Sequence, residues 1–281
     1  MKVLNPTSKA RSVPEKSLLA RHPLLSFFML AIVISWIIAL PSLLFGTPFK
    51  PFQTAGAYGP LLAAVIASAA MGRDELKSLF SRMTNFRFGL GWYLLAISGY
   101  VLLYLLVAGL SGAPLMQSLA EKWTLIFTLY LPALFTSYLV NPIGEETGWT
   151  GFALPHLQKR FNPWLSAVIL GVTWAVWHLP AYFVPSEMGA FNPANFIFFV
   201  LSSIFIRMIW TWVTNNALGS GIVGILLHAS SNAVSLALIP NLLPAPTLDQ
   251  MALSGLILLG LLLLLAVLLL VFTRGRRSHP E

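Results

Sequence analysis

Cysteine is absent from this 281-residue chain, which excludes disulfides, thiolate metal sites and a cysteine nucleophile. Charge is scarce as well: 9% of the residues are charged, against 57% hydrophobic residues and a mean hydropathy of +0.79. So few charges cannot cover a water-facing surface, and the composition implies an all-α, polytopic membrane protein. Long polar inserts are also missing, so residues 1–281 read as a single membrane domain, one helical bundle. No internal repeat is strong enough to indicate an inverted-repeat transporter. The net charge of +8 does not point to nucleic acid, because the basic residues cluster in short flanks beside apolar runs rather than on an amphipathic face.

A helix needs roughly 20 apolar residues to cross a bilayer. Eight such runs are expected, at about Leu24–Phe45, Ala55–Met71, Trp92–Leu110, Leu125–Val140, Trp164–Phe183, Phe196–Val213, Leu218–Leu238 and Ala252–Phe272. The first is as long as a full span and lacks a small-residue cleavage pattern, so it does not read as a cleaved signal. Eight spans put both termini on one side. Lys2, Lys9, Arg11, Lys16, Arg21, Arg73, Lys77, Arg82, Arg87, Lys159, Arg160, Arg274, Arg276 and Arg277 then share that side, fourteen of the seventeen basic residues. Lys50 and Lys122 fall on the other face, and Arg207 lies within the sixth span. The bias predicts cytoplasmic termini, in the plasma membrane of a prokaryote. Within residues 73–91, Leu76, Leu79, Phe80 and Met83 recur at helical spacing among charges, which predicts an interfacial amphipathic segment.

An ionisable side chain in hydrocarbon is costly unless it meets a partner or a water-filled cavity. Glu145 and Glu146 follow the fourth span, after Asn141-Pro142, which reads as a break. Neighbouring helical residues are separated by about 100°, so the two carboxylates must point to different partners. One can face a cavity as a general base while the other holds the helix or its surroundings. The bland alternative is a solvated pair at a helix end. His178 has Trp174 one turn before it, and His228 has Asn232 one turn after it, so each pair shares a helix face. Glu, His, His and Asn on three spans, each requiring partners, make a candidate catalytic set of Glu145, Glu146, His178, His228 and Asn232.

These motifs resemble those of the CAAX protease and bacteriocin-processing family of intramembrane endopeptidases, which includes the Ras-converting CAAX endopeptidase. The Glu-Glu pair, an aromatic residue four before a His, and a His four before an Asn occur here in the family's order on separate spans. The flanking residues 151–155, 177–180 and 227–232 are similar too, and the resemblance covers roughly residues 124–238 as a catalytic core. It implies a hydrolase that cuts a peptide bond within the membrane. Water would be activated by Glu145 and His178, the oxyanion held by His228 and Asn232, and the cluster oriented by Glu146. The partners implied are a lipidated or otherwise membrane-associated protein substrate and the bilayer itself, with no nucleic acid. No cofactor is expected, since the family is regarded as metal-independent glutamate proteases. Zinc on Glu145, His178 and His228 is nevertheless chemically compatible.

One departure stands out. The family carries Arg four residues after the second Glu, and this chain has Thr150 there. Either Arg207, an intramembrane cation in need of a carboxylate, replaces it, or the site is weakened. Two other classes would use the same residues: an inactive scaffold or immunity protein of the same fold, and a proton-coupled transporter relaying protons through Glu and His. Of the remaining polar candidates, His156 reads as a solvated residue of a cytoplasmic connection, and His22 and His279 as tail residues. Trp149, Trp177, Trp210 and Trp212 read as interfacial anchors or as the lining of a lipid-facing path. These span limits leave Glu145 near the membrane edge and the two histidines deep, so residues 141–158 would have to fold back into the protein for all to meet.

Overall fold

The computed structural model describes residues 17–46, 48–136, 138–184 and 192–273, and every regular element among them is helical. After a one-turn helix at Leu18–Arg21, the chain runs through α1 (Pro23–Phe45), α2 (Lys50–Met71), α3 (Arg73–Met83), α4 (Leu90–Leu110) and α5 (Leu115–Lys122). It continues through α6 (Ile126–Phe135), α7 (Val140–Gln158), α8 (Pro163–Phe183), α9 (Pro193–Asn216), α10 (Gly221–Leu242) and α11 (Leu248–Thr273). Seven of these are long and apolar enough to cross a membrane: α1, α2, α4, α8, α9, α10 and α11.

The eighth expected span is not a straight helix. α6 and α7 meet at a bend of 50°, and the two together make up a broken or re-entrant span. The break falls before Val140, and Asn141-Pro142 lies inside the first turn of α7 rather than at the end of a helix. Proline is tolerated there because the first N–H groups of a helix have no intrahelical partner. Residues 140–158 therefore do fold back into the protein, packed between α2 and α10. Gly144 and Gly148 make this approach feasible, since a Cβ at either would come within 2.5 Å of Ala57 O or Pro60 Cβ on α2. Small residues spaced by four let backbones meet where there is no water-driven hydrophobic force to bring helices together.

Two large apolar clusters fill most of the bundle, one from α4, α6, α9 and α10 and the other from α1, α2, α3, α7 and α8, with a small third where Ala39 of α1 meets Ala181 of α8. The polar residues of interest lie where these clusters adjoin. α11, only 11% buried over its apolar stretch, packs on α4 and α9 and otherwise presents leucines to lipid. The connections bearing Arg73 to Arg87 and Lys159 to Arg160 come together at one end, where Glu75 meets Arg82 at 3.0 Å and Lys159 at 3.9 Å. Lys122 bonds Asn241 O at the foot of α10. The basic residues at 2, 9, 11, 16, 274, 276 and 277, like His279, lie outside the described residues.

Several expectations for single residues change. His156 is not solvated: it is 4% exposed, stacked on Phe152, with Nδ1 on the Phe152 carbonyl and Nε2 3.7 Å from Glu75. Trp149, Trp177 and Trp210 are buried inside the protein rather than anchored at an interface. For His156 and Trp149 the correction follows from the folding back of α7, which converts an expected surface connection into core.

Candidate active site

On α7 the two carboxylates diverge as helical geometry requires. Glu145 turns toward α8, where Trp174 Nε1 donates to its Oε2 at 2.8 Å. Glu146 turns toward α9 and α10, and is fully buried. Arg207 grips it with both ends of the guanidinium, Nη1 to Oε2 at 2.7 Å and Nη2 to Oε1 at 2.9 Å. Such a two-point pair matches the guanidinium fork to a carboxylate and fixes its plane. His228 Nδ1 lies 3.0 Å from Oε1 of the same group, and Thr150 Oγ1, one turn further along α7, donates to Oε2. Thus Arg207 takes the place of the missing basic residue as the partner of Glu146, and Thr150 adds a neutral donor.

Trp174 is the hub. Its indole holds Glu145, its carbonyl accepts from His178 Nδ1 at 2.9 Å, and its ring lies 4.8 Å from the His178 imidazole and 5.6 Å from that of His228. Arg207 is sandwiched between Trp174 and Trp210, with Cζ 4.7 and 4.9 Å from the two rings. Aromatic faces stabilise a desolvated cation, which explains how a guanidinium 2% exposed is accommodated here. Trp210 is held in turn by Tyr100, whose hydroxyl accepts from Nε1 at 2.8 Å.

The bonds set the tautomers. A carbonyl only accepts, so His178 carries hydrogen on Nδ1 and, when neutral, presents Nε2 as an acceptor. His178 sits just where the α-helical part of α8 gives way to a 3₁₀ turn at Leu179–Phe183, and Trp36 Nε1 on α1 bonds the neighbouring Trp177 carbonyl at 3.0 Å. His228 likewise donates from Nδ1 to the Glu146 carboxylate.

The structure therefore brings Glu145, Glu146, His178 and His228 together around Trp174. Glu145 and His178 share no direct hydrogen bond; both are fixed by Trp174. Asn232 is half-buried one turn beyond His228, at the start of a π-helical turn at Val234–Leu238, and its carboxamide bonds none of the other four among the described residues. Among the described residues, no three His, Asp or Glu side chains group as metal ligands. Glu145, His178 and His228, each with one ligating atom held by a protein partner and the other not, are thus not grouped as a zinc site in this arrangement. The sequence reading missed the Trp174 bond to Glu145, the stacking of Trp210 and the Thr150 donor. Only Thr150, four residues after Glu146, carried a legible signal.

Comparison with known proteins covers this same region. Residues 126–234 match the family of type II CAAX prenyl endopeptidases, Rce1-like. A curated relative, the CAAX prenyl protease 2 of Methanococcus maripaludis, is 27% identical over 182 residues, 62% of this chain and 67% of the relative. The matched stretch contains both glutamates, Trp174, His178, Arg207, His228 and Asn232. Over residues 126–234 this membrane protein is thus similar to the Rce1-like CAAX prenyl endopeptidases.

Proposed function

We propose that the chain is an intramembrane glutamate endopeptidase acting on prenylated proteins that end in a C-a-a-X sequence and reach the site through the lipid. The observation that carries the assignment of roles is the unequal engagement of the two carboxylates. Both oxygens of Glu146 are taken by Arg207, Thr150 and His228, so it serves as an anchor. Glu145 is held by Trp174 through one oxygen, leaving the other for water. His178 Nε2, an acceptor by its tautomer, is the second group to hold that water.

In this reading Glu145 takes a proton from the water as its oxygen attacks the scissile carbonyl carbon. The oxyanion that forms is met by the Asn232 carboxamide and by His228, whose ring is oriented by Glu146. Glu145 then returns the proton to the leaving nitrogen as the C–N bond breaks. The elements are fixed before substrate arrives, because each donor sits on a helix locked by the Trp174, Arg207 and Glu146 contacts. Termini on the cytoplasmic side fit the shared end of the two basic connections.

The test is cleavage of matched prenylated and unprenylated C-a-a-X peptides by the purified protein in lipid vesicles, with mass spectrometry locating the cut bond. Cleavage confined to prenylated peptides and unaffected by a chelator is the expected result. Loss of activity on chelation, reversed by zinc, would overturn the glutamate mechanism.

A further inference from the structure

The C-terminal end of the short helix α3 reaches both α7, which carries the two glutamates, and α10, which carries His228. Arg82 Nε donates to the Gly151 carbonyl of α7 at 2.8 Å. That carbonyl would ordinarily accept from the residue four along, but residue 155 is Pro and has no N–H to give. The same stretch, Trp149–Ala153, is a π-helical turn, a rare form that appears mostly as a single-turn bulge inside an α-helix, frequently at functional sites. Arg82 is itself braced, with Nη1 on Ser78 Oγ at 2.6 Å and Nη2 on Glu75 Oε1 at 3.0 Å.

Met83 is placed beside it. A Cβ on Gly151 would lie 2.6 Å from Met83 Sδ, and one on Gly221, the first residue of α10, would lie 2.2 Å from the same atom. The thioether is therefore wedged against the backbones of α7 and α10 at once. Just beyond α3, Ser220 Oγ donates to the Asn85 carbonyl at 2.6 Å, and Asn85 Nδ2 donates to the Leu218 carbonyl at 3.4 Å. Gly151 follows Thr150, the donor to Glu146, and Gly221 lies two turns before His228. The clamped ends thus lead directly to the Glu146–His228 hydrogen bond at 3.0 Å.

We propose that Arg82 and Met83 form a positioning clamp, by which α3 sets the spacing of α7 and α10 and hence the alignment of the glutamates with His228. Its effect on catalysis rests on the peptidase reading; its effect on helix spacing does not. A misplacement of about 1 Å in a catalytic group can cost on the order of 10²-fold in rate. The neutral variant Arg82→Met, of similar length, removes the bond to Gly151, while Arg82→Lys keeps a single donor.

Two measurements decide it. On a prenylated peptide, Arg82→Met should lower kcat about 10- to 100-fold with KM within about twofold of the parent, and Arg82→Lys should recover part of kcat. The chain has no cysteine, so spin labels can be placed through Ile143→Cys on α7 and Leu236→Cys on α10, both lipid- or surface-exposed. The distance distribution between them should be narrow in the parent and broadened or shifted by Arg82→Met. An unchanged distribution, or a loss of kcat matched by an equal loss of folded protein, would overturn the clamp. A parent protein that cuts no peptide would remove the peptidase reading alone, because the distance measurement still decides the clamp.

Discussion

Replacing Arg207 with Met removes a charge and leaves its volume nearly filled, which isolates the electrostatic contribution of the Arg207–Glu146 pair. Glu146 has no solvent exposure and Arg207 has 2%, so no water can take over the two bonds of 2.7 and 2.9 Å. Removing one partner of a buried ion pair costs about 3–5 kcal/mol, because the remaining charge is left in a low-dielectric interior. Loss of the stacking on Trp174 and Trp210 adds about 0.5–2 kcal/mol for each ring. Glu146 would keep only Thr150 and His228.

The second change is the informative one. In Arg207→Met/Glu146→Gln the orphaned charge disappears, while the amide oxygen can still accept from Thr150 or His228. The double variant should therefore regain about 2–4 kcal/mol of the loss, a coupling far above the few tenths expected of independent sites. At about 2–4 °C per kcal/mol, thermal unfolding in detergent followed by tryptophan fluorescence would resolve it. Additive effects of the two substitutions, or an Arg207→Met protein as stable as the parent, would refute the account of Glu146 as a charge held by Arg207.

Glu145→Gln and His178→Ala should each abolish peptide turnover while leaving the thermal transition within a few degrees of the parent; full turnover in Glu145→Gln would exclude it as the base. Asn232→Ala should retain a measurable rate, reduced about 10²–10³-fold in kcat as for one oxyanion donor, and an unchanged kcat would remove it from the site. Trp174→Phe deletes a bond to a carboxylate, worth about 1.5–3 kcal/mol, and should lower kcat by about 10- to 100-fold without affecting the Arg207–Glu146 coupling. Thr150→Arg should impair the parent, because Thr150 is buried against Gly224 and Glu146 already holds one guanidinium. The same substitution should restore activity to Arg207→Met; equal activity of Thr150→Arg and the parent would show that the pocket has more room than the structure indicates.

The membrane class, the position of most spans and the identity of the polar residues to watch were all legible in the sequence. Hydropathy is local and accumulates along a run, so seven spans could be read residue by residue. The cost of an ionisable group in hydrocarbon made Glu145, Glu146, His178, His228 and Arg207 conspicuous wherever they went. The same rule required Arg207 to find a carboxylate, and it did so 61 residues away. Tertiary structure alone decided which carboxylate. That choice follows from the roll of α7, set by Gly144 and Gly148 against Ala57 and Pro60, which points Glu145 at Trp174 and Glu146 at Arg207. It also decided that residues 140–158 lie inside the bundle, since a polar, glycine-rich stretch after a break reads locally as a surface connection. Only the contacts with α8, α9 and α10 reveal that its two carboxylates are satisfied within the protein, and contacts so distant in sequence leave no periodic trace along the chain.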